Sequence, residues 1–163
     1  MFQVVGAVGQ MTAWEGQSGP RAGQLMTWDH IRELAAHGIT FGSHTMTHPR
    51  LVTLPLDAAR AELERSKLEL EDRLGRAVDT LSYPYSNRSP AIQQLAAELG
   101  YRAACASDRG AWDRFNVWRM QCWRDDSPLK FRLIARGWVD RLTWLREGTA
   151  IGQTLKAIKR RVQ

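Results

Sequence analysis

The sequence predicts an α/β domain built on a largely parallel sheet. Three observations carry that expectation. Short apolar runs that read as strands alternate with longer segments of helical period; helix caps stand where those segments begin; glycines stand where they end. At 163 residues the chain can bury one core, and no repeat or low-complexity tract interrupts it.

Met1 leads directly into Phe2-Gln3-Val4-Val5-Gly6-Ala7-Val8, a run that reads as a buried strand. A Gly-rich polar loop from Gly9 to Gly23 follows and carries Trp14. Thr27 is placed as the N-cap of a helix that has Asp29 in its first turn and Gly38 at its end. Ile39 to Phe41 reads as the next strand, closing in a Gly42-Ser43 turn. A long amphipathic helix is expected from Leu56 to Leu74, with Leu56, Ala59, Leu63, Leu70 and Leu74 on one stripe and Gly75 after it. Glu69 and Arg73 add an i,i+4 pair to its exposed face. Val78 to Ser82 reads as a strand running into Tyr83-Pro84-Tyr85. Ser89-Pro90 opens a helix, cap then first-turn proline, which Gly100 closes. Tyr101 to Ala106 and Val117 to Trp123 read as two more strands, and Ser127-Pro128 opens a last helical region broken near Gly148. That makes about five strands, where a closed eight-stranded α/β barrel typically takes about 250 residues. Either the sheet is open or a piece is missing from the front.

Charge and cysteines narrow the function classes. The net charge of +6 gathers late in the chain. Such a surface favours anionic partners but is more often a solvated face, and no nucleic-acid partner is expected. Phe131, Ile134, Trp138, Leu142 and Leu145 share a helical stripe, with Arg132, Arg136, Arg141 and Arg146 around it. A basic amphipathic helix of this kind can lie on an anionic membrane, although docking on its own domain is the commoner outcome. No apolar run is long enough to span a bilayer. No basic segment followed by an apolar stretch opens the chain, so no secretory leader is expected; localisation stays open, with cytoplasmic as the default. Cys105 and Cys122 fall in two expected strands without CxxC spacing and read as buried free thiols.

The chemistry concentrates at His44 and His48, which hold half of the chain's four histidines. A spacing of four on one helical turn puts both rings on one face, close enough to share a metal ion. Neutral imidazole suits zinc, cobalt, nickel and iron, and a catalytic site adds a third protein ligand. Thr45 and Thr47 flank the rings with short hydroxyls that can orient ring N–H groups or loop backbone. Pro49 turns His48 away from further helix. On spacing alone a metal site and a chance pair are equally good readings. His30 and His37 are expected to face solvent or their helix end, although Asp29 nearby is a conceivable third ligand. Asp125-Asp126, followed by Ser127-Pro128, reads as a turn into a helix rather than a paired-carboxylate site.

Gly42-Ser43-His44-Thr45-Met46-Thr47-His48-Pro49-Arg50-Leu51 closely resembles the metal-binding motif of the polysaccharide deacetylases, carbohydrate esterase family four with its NodB-homology domain. The helix from Leu25 to Gly38 looks like the one before that motif in the family, and Leu63 to Leu70 like the one after it. Ser82-Tyr83-Pro84-Tyr85-Ser86 resembles the next motif, usually of Arg-x-Pro-Tyr type, and Gly100-Tyr101 opens a strand like the family's next. The likeness runs from about Phe2 to Asp126.

The resemblance implies a partial, deformed (β/α) barrel. Residues 1–126 would be a deacetylase-like domain, N-terminally incomplete, with 127–163 a basic amphipathic helical extension packed on it. It implies a hydrolase acting on carbon–nitrogen amide bonds, removing N-acetyl groups from amino-sugar glycans with a divalent metal, commonly zinc. His44 and His48 would be metal ligands, Tyr85 would offer its backbone N–H to the oxyanion, and Pro84 would fix the turn. The departures are equally specific. The family's Asp-Asp strand, source of the third ligand and the general base, has no match; no histidine follows His48 to act as general acid; and Ser82 stands where an Arg often orients the catalytic Asp. The chain is therefore expected to be a truncated deacetylase, weakly active or inactive alone, with a non-catalytic carbohydrate-binding relative as the alternative. Seven tryptophans, several between Trp112 and Trp144, could stack on sugar rings, but core packing is the commoner role.

Overall fold

Five short strands line up in the order in which the chain makes them. β1 (Phe2–Gln3), β2 (Gly42–Ser43), β3 (Thr80–Ser82), β4 (Ala103–Ala106) and β5 (Val117–Trp118) form one parallel sheet, β1-β2-β3-β4-β5. The computed structural model describes residues 1–12, 14, 23–108, 113–120 and 126–138. Contacts divide the chain into Met1–Gln121, which holds the whole sheet, and Cys122–Gln163.

Parallel neighbours need long crossovers, and three helices supply them. α1 (Trp28–Ala36) joins β1 to β2, α2 (Leu56–Leu74) joins β2 to β3, and α3 (Pro90–Glu98) joins β3 to β4. Their ends follow cap chemistry. The Thr27 hydroxyl accepts from the His30 N–H while the His30 ring accepts from the Thr27 N–H, both at 3.3 Å, closing a capping box. Ser89 caps α3 by accepting from Ile92 N–H at 3.3 Å. Gly75 ends α2 at φ +64°, a conformation other residues adopt only at a cost.

The core lies between the sheet and the inner faces of α2 and α3. Leu63, Leu81, Tyr83, Ile92, Leu95 and Phe115 belong to one apolar cluster there. Leu63 and Leu81 are fully buried, so truncating either to Ala would cost about 2–5 kcal/mol. The stripe on α2 differs from expectation in two places. Leu56 is exposed, because it begins the helix where the face has not yet turned inward; Ser66 is buried, bonding Ser43 Oγ at 2.7 Å. The Glu69–Arg73 pair is present at 3.7 Å.

The strands are shorter than the apolar runs that announce them. Phe2–Val8 is extended only through Gln3, then coils into a 3₁₀ turn over Val5–Ala7. The backbone there leaves the ladder to follow the histidine loop: Val5 N–H bonds Thr45 O at 3.1 Å and Gly6 N–H bonds Met46 O at 2.9 Å. Gly6 allows that approach, since a Cβ would stand 2.8 Å from the Met46 carbonyl oxygen. β2 likewise is Gly42–Ser43 alone, with Ile39 and Phe41 outside the ladder. β5 stops at Trp118, and the expected continuation through Trp123 passes residues 121–125, which lie outside the described residues.

In Cys122–Gln163, α4 (Pro128–Ala135) starts at Ser127, whose hydroxyl accepts from Lys130 N–H at 3.2 Å. Asp126 pairs with Lys130, as a turn into a helix requires. Asp125, Cys122, Leu142, Leu145 and the break near Gly148 lie outside the described residues. Cys105, on β4, is a free thiol, its pKa raised by burial. Among the described residues no helix is long and apolar enough to cross a membrane.

Candidate metal centre

β2 and β3 are adjacent and parallel, so the loops after Ser43 and Ser82 emerge on the same edge of the sheet. The His44–Pro49 loop leaves β2 and the Pro84–Ser86 turn leaves β3. His44 N–H bonds Gln3 O at 2.7 Å, fastening the loop's start to β1.

The loop does not form the single helical turn that the four-residue spacing suggests. Thr45 and His48 both take positive φ, 69° and 63°, so the backbone twice enters the left-handed region. Side chains hold it there. Ser43 Oγ accepts from Thr45 N–H at 3.1 Å, and Thr45 Oγ1 accepts from His48 N–H at 3.0 Å. Glu62, on α2, does the rest: one carboxylate oxygen accepts from the Met46 and Thr47 N–H groups at 2.9 Å each, and the other accepts the Thr47 hydroxyl at 2.8 Å. The two threonines thus organise loop backbone rather than ring nitrogens.

The rings converge despite the different backbone. Nε2 of His44 and Nε2 of His48 are 3.2 Å apart, with the rings edge to face at 80°. The His44 Nδ1 lies 2.6 Å from the Ser82 carbonyl, a partner that can only accept, so Nδ1 carries the proton and Nε2 presents a lone pair. His48 has two aromatic neighbours: the Trp14 ring stacks on it at 4.7 Å and the Tyr85 ring meets it edge to face at 4.7 Å. Arg50 lies over the Tyr85 ring at 4.2 Å. Burial pushes the His44 pKa down to about 3 and the His48 pKa down to about 4, so both rings are neutral at pH 7.

This donor set fits a divalent metal. Two nitrogens about 2.0–2.1 Å from one zinc, with an angle of about 100° between them, stand about 3.2 Å apart, which is the spacing the Nε2 atoms adopt. His48 Nδ1 is buried with no hydrogen-bond partner among the described residues. If His48 protonates Nδ1, two lone pairs face each other across a gap that suits a cation; if it protonates Nε2, that N–H donates to His44 Nε2. The donor set stops at two imidazoles: among the described residues no three of His, Cys, Asp and Glu cluster as a metal cage.

The other candidates fall elsewhere. Asp29 is bound to Arg32 at 2.6 Å on α1, and among the described residues it joins no metal-ligand cluster. A residue in the first exposed turn of α1 meets its own helix neighbours first. The His37 ring contacts Glu33 O at 2.9 Å, and His30 serves the capping box. Tyr85 stands in the 3₁₀ turn with φ 54°, its ring against His48, and Pro84 is fully buried beneath it. Glu62, Trp14 and Arg119 complete the surroundings, Arg119 Nε donating to Ser82 Oγ at 3.0 Å. Their positions within α2, a polar loop and a strand end give no local sequence signal; Glu62 alone could have been suspected, as an acid on the helix following the motif.

The sequence model of the polysaccharide deacetylases matches residues 3–104, more than half of the chain. The chain belongs to the polysaccharide deacetylase family. The Bacillus subtilis (strain 168) protein YxkH, which carries a polysaccharide deacetylase name, is 27% identical over 89 residues, 55% of this chain and 32% of YxkH. Among solved structures, the Streptococcus pyogenes deacetylase PplD, in complex with acetate, superposes with a TM-score of 0.61 at 23% identity, covering 68% of this chain and 51% of PplD. IcaB from Ammonifex degensii gives 0.61 at 22%, covering 83% of this chain and 59% of IcaB. The fold is therefore part of the family's α/β barrel, and the chain spans about a third of YxkH and about half of the PplD structure.

Proposed function

We propose that the chain is the metal-binding part of a metal-dependent hydrolase that removes N-acetyl groups from amino-sugar glycans. The observation that carries this reading is the pair of neutral imidazoles whose Nε2 atoms stand 3.2 Å apart, inside the matched family region. His44 and His48 hold a divalent metal, zinc by preference of its N-donor set. When bound, the metal supplies Lewis-acid polarisation of the acetamide carbonyl and lowers the pKa of water.

The chain's own groups supply the remainder. The Ser82 carbonyl fixes the His44 tautomer, so that Nε2 faces inward. Trp14 and Tyr85 pack against the His48 ring, which is buried. The Tyr85 backbone N–H, carried on the turn that Pro84 shapes, is the oxyanion donor. No carboxylate joins the two imidazoles among the described residues, so activity of this chain alone is weak: a positioned general base is worth about 10²–10⁴-fold.

The incomplete donor set also favours a second reading, a non-catalytic relative that binds N-acetylated glycan. Acetate release from N-acetylglucosamine oligomers with added zinc separates the two. The bare chain should release acetate slowly, His48→Ala should not, and the chain joined to a family-type segment bearing Asp-Asp should gain about 10²-fold or more. A soluble, zinc-loaded joined chain that retains glycan and releases no acetate would establish the binder instead.

A further inference from the structure

The net charge of the chain sits in one place. Ten of the 23 Lys and Arg fall in Cys122–Gln163, against four of the 17 Asp and Glu, so this unit carries the whole +6 while Met1–Gln121 holds thirteen of each. Exposed apolar side chains gather in the same unit. Among the described residues nine large hydrophobics are exposed; three of them, Leu129, Phe131 and Trp138, follow closely on one another at 67%, 54% and 52% exposure. The other six are spread over residues 1–68. On α4, Phe131 and the half-buried Ile134 stand three residues apart and share a face, with Lys130 and Arg132 exposed on either side of Phe131. Arg136 and Trp138 follow, exposed as well. Asp126 offsets the charge of Lys130, and Arg132 and Arg136 supply the positive field.

A solvated face accounts for the cations but not for the exposed Phe and Trp among them. The glycan of the reaction proposed above does not fit, because it is neutral with its acetyl groups and cationic without them. A soluble polyanion would meet the arginines and leave the apolar side chains in water. An anionic bilayer satisfies both, its headgroups taking the guanidinium groups while the aromatic side chains enter the boundary with the acyl chains. α4 is eight residues long, too short to cross a bilayer, so it would lie in the headgroup plane. We propose that residues 128–138 are a docking surface for an anionic lipid bilayer, independently of the reaction proposed above.

The test sediments the full chain with unilamellar vesicles of phosphatidylcholine and phosphatidylglycerol, and with vesicles of phosphatidylcholine alone, in about 0.05 M sodium chloride. The chain should pellet with the anionic vesicles, stay in solution with the neutral ones, and bind less as salt rises. Arg132→Gln/Arg136→Gln should raise the lipid concentration for half-binding by about tenfold or more, and Phe131→Ser/Trp138→Ser by a similar factor. Leu56→Ser/Leu68→Ser, which removes exposed apolar area from α2 instead, should change nothing. A dispersed amide spectrum confirms that each variant is folded. A heparin column separates lipid from soluble polyanion: the arginine variant should elute earlier, and the Phe131/Trp138 variant should elute with the wild type. No pelleting with anionic vesicles at low salt, or equal pelleting with neutral ones, would overturn the proposal. So would unchanged vesicle binding in the Phe131/Trp138 variant, which would make the surface a polyanion site.

Discussion

Glu62→Ala removes the carboxylate that ties the histidine loop to α2. Three donors lose their acceptor: the Met46 and Thr47 N–H groups and the Thr47 hydroxyl. Thr47 is exposed, so water replaces two of the three bonds at little cost; Met46 is partly buried, and its amide is left without a partner. An unsatisfied buried donor costs about 1–3 kcal/mol, and about 2 kcal/mol is expected here. For a domain of this size that lowers the Tm by about 4–8 °C. Glu62→Gln keeps one acceptor oxygen and should lose about half as much. Thermal denaturation gives the first number, and amide hydrogen exchange gives the location: Met46 and Thr47 should exchange faster while Leu63 and Leu81 do not. A Tm within about 1 °C of wild type, with unchanged exchange at Met46, would refute the claim that this carboxylate holds the loop.

Acidification should destabilise the metal-free chain through its two histidines. Both folded pKa values are depressed from 6.5, to about 3 and about 4, so the unfolded chain takes up protons first. The stability of the neutral pair is complete above about pH 6.5 and is lost as the pH falls toward 4 and 3, with about 1–2 kcal/mol per ring gone by pH 5. Urea unfolding at pH 7.5 and pH 5 measures it, and a His44→Ala/His48→Ala chain with the same difference would contradict the assignment. Gly42→Ala should cost about 1–3 kcal/mol, because the added Cβ would stand 2.5 Å from Thr80 Oγ1 and 2.7 Å from the Phe2 ring; an unchanged Tm would mean that β1 and β3 can part.

What the sequence discloses is what short-range chemistry determines. α2 runs from Leu56 to Leu74 as its apolar spacing and Gly75 dictate, and Thr27, Ser89 and Ser127 cap where their hydroxyls can reach the next turn. Strand ends are less legible, because in a buried parallel sheet an apolar run stays apolar after it has left the ladder, as Val4 and Val5 do. The histidine pair was legible as a pair but not in its backbone: the spacing of four suggests a helical turn, while Ser43, Thr45 and Glu62 hold two left-handed residues instead. Trp14 and Arg119 reach the site through contacts distant in sequence, which no local pattern encodes.

Calorimetric titration of the chain with zinc, alongside the His44→Ala and His48→Ala variants, addresses the metal centre most directly. One zinc per chain is expected, held weakly because two neutral imidazoles lack an anionic partner, and lost in either variant. Zinc bound equally well when both histidines are replaced would place the metal elsewhere and contradict the assignment.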